Sequence, residues 1–211
     1  MASRWVRWAG IAALGAYSVA LIAVEIKISQ NFARHFFTDI TGPVRFYAVN
    51  TTLSVFLLWS TALVFAGCFI CTRDNGQHRR ERAFYLSQVL MFGFLGFDDR
   101  FLLHEALGAK VAFSDALILF GVGALELGLL ITLGGLAGAH RGRDRRYLYL
   151  AALFFALMVA IDGLLPREMV PRLSLEDLSK TWAGALLFMF ACKIFYDRVE
   201  DLKQETHPEQ K

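Results

Sequence analysis

The sequence predicts an all-α integral membrane protein, a six-transmembrane-helix bundle with both termini cytoplasmic, and three observations carry that expectation. Hydrophobic residues make up 56% of the 211 positions and charged residues only 19%, with a mean hydropathy of +0.45, which places the chain among proteins whose solvent is lipid. The charges gather in short clusters between apolar stretches of roughly 17–25 residues, the length that crosses a hydrocarbon core about 30 Å thick. Basic residues, finally, are dense in two connections, Arg73 with Arg79, Arg80 and Arg82, and Arg141 with Arg143, Arg145 and Arg146. By the positive-inside rule both connections are cytoplasmic, which sets the orientation of every other segment.

The first span is expected from about Trp5 to Ile26, behind Arg4 and Arg7. Its charged start resembles a secretory signal, but its length and its Glu25-Ile26-Lys27 ending argue against cleavage. An outer connection, 28–45, follows, in which Phe32, Phe36, Phe37 and Ile40 fall on one side of a helix lying at the interface, before Thr41-Gly42-Pro43 breaks the chain. The second span runs from about Phe46 to Cys71. Asn50-Thr51-Thr52 matches a glycosylation acceptor but sits inside this span, where the modifying enzyme does not reach, and is discounted.

The third span runs from about Phe84 to Leu107, and a tight turn at Gly108-Ala109-Lys110 leads into the fourth, which ends near Gly138. Along the fourth, Ser114, Gly121, Gly128 and Gly135 recur every seven residues, with Gly134 and Gly138 adding a further small pair. Such a seam lets another helix approach closely. A contact within the chain is the first expectation, and a homo-oligomer or another membrane partner through Gly121, Gly128 and Gly135 the second. The fifth and sixth spans are placed at Tyr147 to Leu165 and Thr181 to Tyr196, with the connection 166–180 outside. One transmembrane domain therefore covers 1–198, and 199–211 form a polar cytoplasmic tail.

The three cysteines, Cys68, Cys71 and Cys192, fall at the cytoplasmic ends of spans, where thiols stay reduced, so no disulfide framework is implied. Cys68 and Cys71 form a C-x-x-C without the second ligand pair of a zinc site, and packing is the expected role. The net charge of +3 serves topology, and no nucleic-acid partner is expected. The abundance of arginine, alanine and glycine suggests a bacterial inner membrane as the location.

The chemistry concentrates in Gly96-Phe97-Asp98-Asp99-Arg100-Phe101-Leu102-Leu103-His104-Glu105, with Asp115 beyond the turn. Ionisable groups inside a membrane cost several kcal/mol each, so a cluster of them in one span needs a reason. Helical geometry separates Asp98 and Glu105 by about 10 Å along the axis, whereas His104, Glu105 and Asp115 can converge across the turn. Glu25, Asp39 and Asp162 reach a similar outer level, so Asp98, Asp99, His104, Glu105, Asp115 and Asp162 form a candidate metal site, with Glu25 available to complete it. One imidazole among carboxylates favours zinc, manganese or iron over calcium or magnesium.

Three functions are consistent with this pattern. The first is a cation site open to the outer leaflet, in which a metal-bound water acts with a carboxylate base on a lipid-like substrate. The second is an ion channel or proton-coupled transporter using Asp115 and Glu126. The third is a noncatalytic subunit of a membrane complex, held by the glycine seam. Against all of these stands a structural network in which Arg100 neutralises Asp98, Asp99 or Glu105, with Lys27, Lys110 and Arg167 absorbing the remaining acid. Glu126 lies about 16 Å deeper than Asp115 and cannot share its site. It fits either a proton relay or a neutral hydrogen bond to Gln88 or Ser87.

Overall fold

The computed structural model describes residues 4–38, 44, 47–72, 78–101, 103, 115–134, 145–166 and 168–206. Their regular structure is helical, with no strand among them: α1 (Arg4–Lys27), α2 (Gln30–Phe37), α3 (Val49–Cys71), α4 (Arg79–Phe101), α5 (Asp115–Thr132), α6 (Arg145–Leu164) and α7 (Arg172–Thr206). Four stretches, Arg7–Lys27, Val49–Cys71, Arg145–Leu164 and Arg172–Lys203, are long and apolar enough to cross a membrane. Arginines at one end of α4 and the Asp98-Asp99-Arg100 run at the other keep it out of that set, and Leu117–Thr132 of α5 is a shorter apolar helix.

Local chemistry accounts for the helix ends. The Ser29 hydroxyl caps α2 by accepting from the Phe32 N–H at 3.1 Å. Glu81 in the first turn of α4 and Arg100 in its last complement the helix dipole. α7 is much longer than the span expected from Thr181 to Tyr196. Arg172 pairs with Glu176 one turn on, Lys193 pairs with Asp197, and these pairs carry the helix through polar sequence at both ends. Residues 172–180, read in sequence as outer connection, are therefore its first turns, and the helix continues past 198 into the expected tail.

The centre of the bundle is α3 and α7, with α4 packed on α3 and α6 on α7. Phe65 of α3, wholly buried, stacks on Phe92 of α4 at 5.9 Å between ring centroids, among Leu58, Phe84, Phe190 and Ile194. Cys68 is buried in this core and all three cysteines are free, in keeping with a packing role. Leu63, Ile70, Phe56, Phe120 and Leu153 stand exposed on the outside of the bundle, as lipid-facing residues would. α2 departs from the expected interfacial helix: Ala33 and Phe37 are buried against Leu21 of α1 and Leu178 of α7, so its apolar side is covered by protein.

Glycines record where helices touch. A Cβ built on Gly96 of α4 runs into the Trp59 indole of α3, one on Gly123 of α5 comes within 2.7 Å of the Phe155 ring of α6, and one on Gly134 comes within 2.7 Å of Phe84. Gly121 and Gly128 have nothing among the described residues within 4 Å of such a Cβ. The contact expected within the chain along the seam is thus not made at these two positions, because Phe155 and Phe84 approach α5 over Gly123 and Gly134 instead. Ser114, Gly135 and Gly138 lie outside the described residues.

Candidate functional site

The first three turns of α7 collect polar side chains from four other helices. Glu25, buried near the end of α1, accepts through Oε2 from the Ser174 backbone N–H at 2.7 Å. That N–H belongs to the unpaired first turn of α7, where the helix dipole also favours a carboxylate. One turn away, Arg172 binds Asp162 of α6 twice, donating to Oδ1 at 2.8 Å and to its carbonyl at 3.2 Å, and pairs with Glu176 at 3.2 Å. Two turns on from Arg172, the Lys180 ammonium lies 2.6 Å from Asp99 Oδ1 of α4 and 3.4 Å from Asp177 Oδ1.

Asn50 of α3 closes the group. Its amide donates to the Asp177 carbonyl at 3.3 Å, while its own oxygen accepts from the Thr181 hydroxyl at 3.1 Å. It is fully buried. Below it, the Trp182 indole donates to the Ser18 hydroxyl at 3.0 Å, tying α7 to α1. Several buried oxygens have no partner among the described residues: Asp99 Oδ2, Glu25 Oε1 and the hydroxyls of Ser174, Ser54 and Tyr17. Asp177 lies within electrostatic reach of Lys180, Asp99 and Arg172, and Glu176 within reach of Asp162, so the group acts as one charged centre.

Of the expected site residues, Asp99 and Asp162 thus come to the same end of the bundle, but each meets a base on α7. Asp98 is buried beside them at the end of α4. His104, Glu105, the Asp115 side chain and Asp39 lie outside the described residues, as do Lys110 and Arg167. Among the described residues no group of three or more His, Cys, Asp or Glu side chains is placed to hold a metal ion. The bases expected to neutralise the acids did not include Lys180 or Arg172. Their signal was present in the spacing Arg172, Glu176, Lys180, which lines one side of a helix, and it was lost when residues 166–180 were read as a loop.

Away from this centre, Gln88 of α4 donates to Glu126 Oε2 of α5 at 3.3 Å, the partner that the sequence suggested. At the arginine-rich end of α4, the Tyr85 hydroxyl donates to Glu81 Oε1 at 2.7 Å and His78 Nδ1 lies 3.1 Å from Glu81 Oε2. Arg80 donates to the Thr132 carbonyl at the end of α5, and Arg82 to the Thr72 carbonyl at the end of α3.

No curated protein and no solved structure matches the chain. A family model described as a domain of unknown function, DUF8692, matches residues 5–194, and so covers all but the extreme ends of the bundle described above. The chain belongs to the DUF8692 family.

Proposed function

We propose that this chain is a six-span protein of the bacterial inner membrane, with both termini cytoplasmic, that binds a cation at the outer end of its bundle. Two features support the span count beyond the four long apolar helices. α4 is 23 residues long, about 34 Å at 1.5 Å per residue, with its charges at the two ends, and α5 carries no charged residue besides Asp115 at its start and Glu126.

The observation that carries the cation reading is the state of Asp99. One of its carboxylate oxygens holds the Lys180 ammonium, and the other, Oδ2, is buried and, like Glu25 Oε1, meets no donor among the described residues. Buried carboxylate oxygens call for a donor or a positive charge. The described acids Glu25, Asp99, Asp162, Glu176 and Asp177 meet two bases, Arg172 and Lys180, so the local balance favours a cation over an anion. In this reading Lys180 is a tethered cation, and an incoming ion takes its place between Asp99 and Asp177. A divalent ion (zinc, manganese or iron) would draw further ligands from Asp98, His104, Glu105 and Asp115, and would supply an activated water for chemistry on a lipid-like substrate.

The test is elemental analysis of gently extracted protein beside its Asp99→Asn and His104→Ala variants, with thermal stability read across a series of added cations. A stoichiometric ion lost in both variants, or a midpoint that rises with one cation only in the unsubstituted protein, supports the site. No bound ion and no cation dependence would leave the centre as an internal ion-pair network.

A second reading, a subunit held to another copy or another membrane protein, rests on the open face at Gly121 and Gly128. A chain that stays monomeric and alone after mild extraction would remove it.

A further inference from the structure

The polar groups on the arginine-rich half of α4 are not used by the outer centre, and they form a continuous series. His78, Glu81, Tyr85 and Gln88 fall within an arc of about 80° at 100° per residue and rise about 15 Å along the helix. His78 and Glu81 are half-buried at the end of the bundle, whereas Tyr85 and Gln88 are 0% and 1% exposed. Each neighbour in the series is joined or one turn apart: His78 to Glu81, Glu81 to Tyr85 through its hydroxyl, Tyr85 to Gln88 across one turn, and Gln88 to Glu126.

Glu126 is where the series ends. Its Oε2 accepts from the Gln88 amide, and its Oε1 is buried with no partner among the described residues. A carboxyl group there has a free oxygen ready to carry a proton. Beyond Gln88, one turn further along α4 toward Asp99, the buried Phe92 ring stacks on Phe65 of α3. The charged group packed against Tyr85 from another helix is Arg198 of α7, and Cys68 of α3 also lies within electrostatic reach of it.

We propose that Glu126 is a proton-loading site inside the bundle, filled from the arginine-rich end through His78, Glu81 and Tyr85. A proton arriving from water is taken by Glu81, with the half-buried His78 at the entry, and the Tyr85 hydroxyl passes it inward while receiving another. One water bridges the turn between Tyr85 and Glu126 beside Gln88, whose amide holds Oε2 and leaves Oε1 to accept. Only O–H and N–H bonds change, and no redox partner is needed. The site is separate from the cation centre and does not depend on it.

The test is infrared spectroscopy of the protein in lipid nanodiscs. The unsubstituted protein is expected to show a carboxylic-acid carbonyl band that Glu126→Gln removes and that shifts on transfer to deuterated water. Positioned side chains speed proton transfer by orders of magnitude, so Glu81→Gln should slow that shift at least about tenfold, and Tyr85→Phe likewise. Glu168→Gln, exposed at the opposite end, should leave the rate unchanged. A band that survives Glu126→Gln, or an exchange rate indifferent to Glu81→Gln, overturns the proposal. Should Glu126→Gln fail to fold, labelling of the unsubstituted protein with dicyclohexylcarbodiimide decides the matter, since this lipid-soluble reagent adds to protonated carboxyl groups. An adduct mapped to Glu126 by mass spectrometry supports the site, and labelling elsewhere with Glu126 unmodified refutes it.

Discussion

Lys180 of α7 sets its ammonium 2.6 Å from the carboxylate of Asp99 on α4, a pair separated by 81 positions in sequence, and so links two helices that each pack on α3. Asp99 is 7% exposed and Lys180 30%, so removing the base strands a charge in a largely dry site, while removing both leaves nothing uncompensated. Lys180→Met is expected to destabilise the fold by about 2 kcal/mol, somewhat less than a fully buried pair would show because Lys180 is partly exposed. The double variant Asp99→Asn/Lys180→Met should recover most of that loss. A double-mutant cycle of unfolding in detergent checks this, and additive losses would mean that the two groups do not act as a pair.

The glycines of α4 and α5 should respond in opposite ways to one added methyl group. At Gly96 the new Cβ meets the rigid Trp59 indole, which also packs edge-on against Phe97 at 5.4 Å and has little room to turn. Gly96→Ala is therefore expected to cost about 1–3 kcal/mol through overpacking, with partial recovery in Gly96→Ala/Trp59→Leu. Gly121→Ala and Gly128→Ala meet open space, and gain up to about 1 kcal/mol each from helix propensity. A stability loss at Gly121 or Gly128 in detergent-extracted protein, accompanied by a fall in apparent mass, would instead reveal a partner helix on that face.

How far the sequence could be read differs between the lipid-facing and the polar parts. Apolar length located α1, α3, α6 and the middle of α7, because the requirement for roughly 20 apolar residues acts on each span independently. The Glu126 and Gln88 pair was also foreseeable, since a carboxyl group inside an apolar helix needs a neighbour and few polar residues share its depth. The partners of Asp99 and Asp162 were not. Arg172 and Lys180 lie in a polar stretch that reads as a loop by hydropathy despite its helical spacing, and their pairing with Asp162 and Asp99 is a tertiary contact that no local pattern carries. Helix phase was beyond reach as well: the seven-residue seam is real as a pattern, but which glycine meets a neighbour depends on the rotation of α5 against Phe84 and Phe155.

Asn50 bears on the stability of the outer centre without carrying charge. Its amide bonds the Asp177 carbonyl and the Thr181 hydroxyl, and all of its side chain is buried between α3 and α7. Asn50→Leu removes both bonds and faces a polar surface with an apolar group, for an expected loss of about 1–3 kcal/mol. In Thr181→Val the Asn50 amide keeps its bond to the Asp177 carbonyl at 3.3 Å, so Thr181→Val should cost less than Asn50→Leu. Equal losses in thermal unfolding would show that the hydroxyl, rather than the amide, is the main tie.

One substitution should raise stability. Ala48, at the start of α3, holds φ at 50° and ψ at 30°, the left-handed region that disfavours any residue with a Cβ. The conformation is kept because Ala48 is buried, its N–H donates to the His35 carbonyl at 2.9 Å and its carbonyl accepts from Thr52, so the backbone is held from both sides as α2 turns into α3. Glycine adopts the same angles without the steric penalty of about 1–2 kcal/mol, though it also gains freedom in the unfolded chain. The buried methyl group is lost as well, at under about 1 kcal/mol. The strain relief and these two losses are of similar size, and the sign turns on how tightly the two backbone bonds fix the angles. With both bonds near 2.9 Å the strain dominates, and Ala48→Gly is expected to raise the unfolding midpoint slightly, whereas Ala48→Val should lower it by well over that amount. A midpoint lowered equally by glycine and valine would mean that the methyl packing, not the backbone angle, sets the requirement at this position.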